Sequence, residues 1–114
     1  MNANFLIANF SSVPVAFTAH NNALEGTIPV ELTQNTLLET LSLYDNKFSG
    51  SIPSEFGLMT NLERLLVHSN DFTGTMPLEI CALRNLNLIQ LTADCAGDNP
   101  KVVCPQPSCC TLCF

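Results

Sequence analysis

"NKFSGSIPSEFG", residues 46–57, has the composition of a loop, with one Asn, two Gly, one Pro and three Ser. Yet "NALEGTIPVELT" precedes it at 22–33 and "NDFTGTMPLEIC" follows it at 70–81, each offset by 24 residues. A turn repeated at one spacing, with the same positions kept apolar, is a structural unit and not a connection. The phases extend along the chain. Asn22, Asn46, Asn70 and Asp94 coincide, as do Leu24, Phe48 and Phe72, then Gly26, Gly50 and Gly74. Ile28, Ile52 and Met76 each precede a proline, and Leu32, Phe56 and Ile80 follow in phase. Leu38, Leu62 and Leu86 align, then Leu41, Leu65 and Ile89, then Leu43, Val67 and Leu91. Phe17 and Ala19 take the last two of these phases upstream. On this reading nothing is inserted between residues 22 and 94.

Each phase has a physical role. "LETLSL" (38–43) alternates apolar and polar residues, the period of a half-buried strand, and "LERLLV" (62–67) and "LNLIQL" (86–91) are its equivalents. Stacked coils turn these segments into one parallel sheet. The Asn after each strand turns the chain, and its amide can satisfy backbone groups left open there. Repetition then builds a ladder of Asn22, Asn46, Asn70 and Asp94, with Phe48 and Phe72 stacked behind it. Gly permits the tight backbone, and Pro fixes φ where the chain leaves a second short strand. "PSEFGLMTN" (53–61) returns as a helical turn with Phe56 and Met59 inward.

Composition excludes several function classes. At 114 residues the chain is at most one domain, and with 46% hydrophobic and 12% charged residues it can bury a core. A net charge of −6 argues against nucleic acid, which requires a basic face. No apolar run is long enough to span a membrane. Residues 1–10 lack the basic start and cleavage site of a signal peptide. The six cysteines, at 81, 95, 104, 109, 110 and 113, instead suit a disulfide-tied tail in an oxidising compartment. Zinc is the rival, since Cys110 and Cys113 form a CxxC, but the segment has no His and its spacings do not make two clean pairs. Connectivity is open, except that adjacent Cys109 and Cys110 should bond to different partners. Export would then need a signal upstream of Met1, making the chain the end of a longer protein.

At this point "LETLSLYDNKFSGSIPSEFGLMTN" and "LERLLVHSNDFTGTMPLEICALRN" resemble the plant-type leucine-rich repeat, LxxLxLxxNxFxGxIPxxLGxLxx. The tail "LTADCAGDNPKVVCPQPSCCTLCF" is similar to the C-terminal caps of plant-like leucine-rich repeat proteins of algae such as diatoms. The resemblance implies an α/β solenoid: a right-handed superhelix with a concave parallel sheet, helical turns on the convex side and a disulfide-tied cap. It divides the chain into a degenerate segment at 1–14, about three coils at 15–94 and the cap at 95–114. Family members are receptor-like kinase ectodomains or secreted inhibitors of cell-wall hydrolases, of the polygalacturonase-inhibitor kind. Their concave faces bind proteins, peptides or polysaccharides. Departures are Asn35 in the phase of Met59 and Leu83, and Cys95 directly after Asp94, where the repeat stops. Cys81 lies on the last convex segment, placed to tie the tail back.

The outward positions between the apolar phases form columns. Ala16, Thr40, Arg64 and Leu88 make one, and Thr18, Ser42, Leu66 and Gln90 the next. His20, Tyr44, His68 and Thr92 make a third, and Asn21, Asp45, Ser69 and Ala93 a fourth. The expected binding set is therefore His20, Thr40, Ser42, Tyr44, Arg64, Leu66, His68, Gln90 and Thr92, centred on Tyr44 because tyrosine offers a rigid ring and a hydroxyl. The competing reading is a set of solvated strand positions. His20 and His68 stand two coils apart, roughly 10 Å, too far for one metal ion. No nucleotide-cradling, metalloprotease or serine-hydrolase motif occurs, and an open sheet offers no shielded pocket, so neither catalysis nor a cofactor is expected. Asn9 begins an N-x-S sequon, a glycan acceptor if the protein is exported. The function classes left are a recognition module, a hydrolase inhibitor, and a surface- or ice-binding solenoid using Thr27, Ser51 and Thr75.

Overall fold

The computed structural model describes residues 16–114, so the segment 1–14 and the Asn9 sequon lie outside the described residues. Two parallel sheets run side by side. The larger contains β1 (Ala16–Thr18), β3 (Thr40–Ser42), β5 (Arg64–Leu66), β7 (Gln90–Ala93) and β9 (Leu112–Cys113), in that order. The smaller contains β2 (Glu25–Gly26), β4 (Lys47–Ser51), β6 (Asp71–Thr75) and β8 (Val102–Val103). Each coil contributes one strand to each, which is why neighbours are parallel. The third side carries 3-10 turns at Val30–Gln34 and Ser54–Leu58, then a short helix, α1 (Leu78–Ala82), extended by the turn Leu83–Asn85. Pro29, Pro53 and Pro77 precede these turns with φ of −65°, −63° and −58°, the value the proline ring enforces.

The repeated phases converge on one dry interior. Leu41, Leu65 and Leu91 are fully buried, as are Phe48, Phe56, Met59 and Phe72. Phe48 and Phe72 stack with centroids 6.0 Å apart and planes 9° from parallel. Beside them runs the amide ladder. Asn46 Nδ2 donates to the carbonyls of Ala19 (2.8 Å) and Leu43 (3.1 Å), and its Oδ1 accepts from the Leu24 N–H (3.1 Å). Asn70 repeats this with Leu43 (3.0 Å), Val67 (3.2 Å) and the Phe48 N–H (3.0 Å). Each buried amide thus links two coils while satisfying backbone groups that a turn would otherwise orphan. Asn22, at the first rung, is exposed, and among the described residues its amide donates to Ala19 and His20 of its own turn. Gly57 sits where two turns touch: a Cβ there would lie 2.6 Å from Glu79 Cβ and 2.9 Å from its carbonyl carbon.

The last coil departs from the 24-residue phase. Leu65 pairs in register with Leu91 and Leu66 with Thr92, a step of 26 residues. The two extra residues fall between Leu83, which keeps the phase of Met59, and Leu88, which takes the place of Leu62. The side chains shift accordingly. Leu88 is buried and Ala93 fully so, although the uniform phase puts both outward. Leu86 and Ile89, expected inward, are each 60% exposed. Asp94 is not the fourth amide-like rung either. Its carboxylate accepts from the N–H groups of Ser69 (2.8 Å) and Asn70 (3.1 Å), closing the ladder instead of extending it.

The tail continues both sheets without the repeat sequence. β8 pairs with β6 and β9 with β7, both parallel. Thr111 fixes β9 by donating from its N–H (2.8 Å) to the Leu91 carbonyl and accepting the Leu91 N–H at Oγ1 (2.9 Å). Three disulfides hold it: Cys81–Cys109, Cys95–Cys113 and Cys104–Cys110. Cys109 and Cys110 therefore have different partners, and Cys81 ties the tail to α1. No helix among the described residues is long and apolar enough to cross a membrane.

Candidate ligand-binding face

Strand register decides which outward side chains meet on the five-stranded sheet. Ala16, Thr40, Arg64 and Gln90 form one row, and Thr18, Ser42, Leu66 and Thr92 the next. Gln90 and Thr92 therefore each stand one row over from the uniform phase, and Leu88 leaves the surface. Asn21, Asp45 and Ser69 are not strand positions at all. Their φ values of 57°, 62° and 58° make them left-handed turn residues ending each strand.

The third row is a stack of rings. His20 lies parallel to Tyr44 at 4.7 Å, Tyr44 to His68 at 4.7 Å, and His68 to Phe114 at 3.9 Å. The spacing is close to that of the strands that carry the rings, so the sheet itself imposes the stack. Phe114 reaches the row from the tail, just beyond β9, where its N–H donates to Ala93 and its carbonyl accepts from Ala96, both at 3.0 Å. Sequence reasoning missed it because it belongs to no repeat. The one available signal is an aromatic residue beside Cys113.

Two residues of the expected binding set are covered. Ser42 is 3% and Thr92 1% exposed. Each hydroxyl meets a histidine: Ser42 Oγ is 3.2 Å from His20 Nδ1, and Thr92 Oγ1 is 2.6 Å from His68 Nδ1. These bonds hold each imidazole at Nδ1 and leave Nε2 outside the contact. With ring faces turned to one another, the row shows solvent its edges: an imidazole nitrogen, a phenol hydroxyl, a second imidazole nitrogen, then the Phe114 ring. Arg64 is exposed beside them, with Thr40, Leu66 and Gln90 half-buried.

Burial pushes the His68 pKa below the usual histidine value, while Asp94 and Asp45 pull it back up less strongly. The ring is therefore predominantly neutral at pH 7. His20 and His68 have Tyr44 between them, so the pair does not share an ion site. The sulfurs of Cys104, Cys109 and Cys110 lie within 4.8 Å of one another, but all three are oxidised in disulfides and offer no thiolate ligand.

The repeat and its register are matched elsewhere. A family profile described as Leucine Rich Repeat fits residues 37–59 and 61–83. The fold is a leucine-rich repeat solenoid. Solved structures of plant receptor-kinase ectodomains share it. The Arabidopsis thaliana BIR3–SERK2 complex superposes with a TM-score of 0.63 at 30% identity, over 73% of this chain and 45% of that one. The ectodomain of the Arabidopsis thaliana receptor kinase SOBIR1 gives 0.61 at 35% identity, over 68% and 41%. The Arabidopsis receptor kinase HAESA, solved with the peptide hormone IDA and the co-receptor SERK1, gives 0.61 at 29% identity, over 68% and 13%. This leucine-rich repeat chain thus spans less than half the length of each. No curated protein matches it in sequence.

Proposed function

We propose that the five-stranded sheet is the recognition surface of an extracellular leucine-rich repeat module and that it binds a protein or peptide segment. The row His20–Tyr44–His68–Phe114 carries the reading. A solvated strand surface has no need of four co-stacked rings whose imidazoles are held from beneath by buried hydroxyls. Rigid, oriented aromatics next to an arginine are the composition of a binding hot spot. Polysaccharides are gripped by stacking sugar rings on open aromatic faces, and here both faces of Tyr44 and His68 are taken by neighbouring rings. The exposed edges suit instead a segment that offers its own donors and acceptors at intervals, as a peptide does. Three disulfides favour an oxidising, extracellular setting, and HAESA, solved with a peptide hormone, favours a peptide.

The test is backbone hydrogen exchange on the oxidised protein with pooled secreted peptides or, separately, with cell-wall oligosaccharides. Added peptide should protect β3, β5 and β7, and Tyr44→Ala should weaken binding about 30-fold, the cost of a hot-spot residue near 2 kcal/mol. Protection confined to the helical turns, or unchanged binding by Tyr44→Ala, overturns the assignment. Protection by oligosaccharide alone replaces the peptide with a glycan.

A further inference from the structure

The cap holds a chemistry that the ring row does not use. The sulfurs of Cys104, Cys109 and Cys110 lie within 4.8 Å of one another although they belong to two separate disulfides. Those two bridges differ in access and in task. Cys104 and Cys110 are half-buried and close a separation of only 6 residues. Cys81 and Cys109 are 5% and 1% exposed, span 28 residues, and join the cap to α1. A reductant in solution therefore meets the first bridge and is shielded from the second. We propose that Cys104–Cys110 is a redox sensor whose opening by a thiol reductant passes internally to Cys81–Cys109 and frees Cys81.

The electrons balance in two steps. A dithiol reductant attacks the Cys104–Cys110 bridge. Two electrons and two protons pass to the protein, leaving both cysteines as thiols, and the reductant leaves as its own disulfide. The Cys104 thiolate then attacks Cys109 Sγ. A Cys104–Cys109 bond forms, the Cys81–Cys109 bond breaks, and the electron pair departs on Cys81, which takes a proton from water. This second step is an isomerisation with no net redox change. Cys104 is the attacking residue for two reasons. Attack by Cys110 would bridge adjacent residues and strain the peptide between them. The Cys110 N–H, moreover, lies 3.0 Å from Cys104 Sγ, a donor that favours a thiolate there. Cys95–Cys113 takes no part, so β9 and Phe114 stay on the sheet while α1 loses its covalent tie. Arg84 Nε donating to the Ser108 carbonyl at 3.3 Å then remains to bridge that side.

The experiment treats the fully oxidised chain with limiting dithiothreitol, alkylates at intervals, and maps bridges by fragmentation mass spectrometry. Expected is a species with Cys81 and Cys110 alkylated, Cys104 linked to Cys109, and Cys95–Cys113 intact. In the double variant Cys104→Ser/Cys110→Ser, whose two remaining bridges are mapped first, Cys81 alkylation should slow at least about tenfold, because a buried bridge must then be reduced directly. Equal rates overturn the relay. The wild-type arm decides alone if the variant mispairs: loss of Cys104–Cys110 without any Cys104–Cys109 linkage also overturns it.

Discussion

Residues 38–59 and residues 95–114 each supply one strand to each sheet: β3 and β4 from the coil, β8 and β9 from the cap. In the coil, Leu38, Leu41, Leu43, Phe48, Ile52, Phe56 and Met59 are buried, and Asn46 bonds to the preceding coil through its side chain and to the following one through its N–H. In the cap, Val102 and Cys109 alone are buried hydrophobics, and every cysteine of the segment is in a disulfide. A middle coil has a like partner on either side, so identical side chains complete one another. A terminal turn has a partner on one side only. There, covalent links that restrict the unfolded chain take over from packing.

The largest effects should fall in the coil. Phe48→Ala should cost about 3–5 kcal/mol in denaturant unfolding of the oxidised protein, by removing a ring from a close-packed stack. Val102→Ala in the cap should cost at most about 2 kcal/mol. Equal costs would erase the contrast. Cys81→Ser with Cys109→Ser should cost about 3–4 kcal/mol in the same measurement, the loop-entropy value for its span, with Phe48–Phe72 packing unchanged by near-ultraviolet dichroism. Asn46→Ala should follow at about 3 kcal/mol, since several carbonyls and the Leu24 N–H lose a buried partner, whereas Asn22→Ala, at the exposed rung, should stay below about 1 kcal/mol.

Smaller effects sharpen the picture. Gly57→Ala should destabilise by about 1–3 kcal/mol, because the new methyl meets Glu79 backbone atoms, and a crystal structure should show the two turns displaced apart. The smallest is a pH effect at the joint between coil and cap. His68 titrates in the folded protein below its unfolded value, so the unfolded state binds more protons as pH falls. Its contribution is complete above the unfolded pKa and declines as pH drops through the folded one. The stability difference between wild type and His68→Phe, which keeps a ring in the stack, should shrink or reverse by less than about 1 kcal/mol between pH 7 and pH 5.

Much of the fold was legible because repetition multiplies weak signals. Phe48, Phe72, Asn46 and Asn70 each recur in phase, and the structure buries all four. The third coil was misread for a specific reason. "NLNLIQL" (85–91) offers Leu86 with Ile89, or Leu88 with Leu91, as the inward pair, and both frames satisfy an apolar alternation. Only pairing of Leu65 with Leu91 selects the second. The candidate site was legible in part. The histidines and Tyr44 share a phase, so their adjacency follows from the period. Phe114 does not, and neither does the covering of Ser42 and Thr92, which depends on ring orientation across strands.

The sequence alone determined that there are coils, the 24-residue length and interior residues of those before the last, and that the tail is cysteine-tied. Where the backbone register is kept and a coil has neighbours, a side chain repeated at constant phase meets the same environment in each coil. The tertiary structure alone decided the two-residue step in the last coil, the pairing of the six cysteines, and the joining of the cap's phenylalanine to the histidine row. Those outcomes rest on backbone hydrogen bonds and contacts between residues outside the repeat, where local pattern carries no register and only the assembled sheet can supply one.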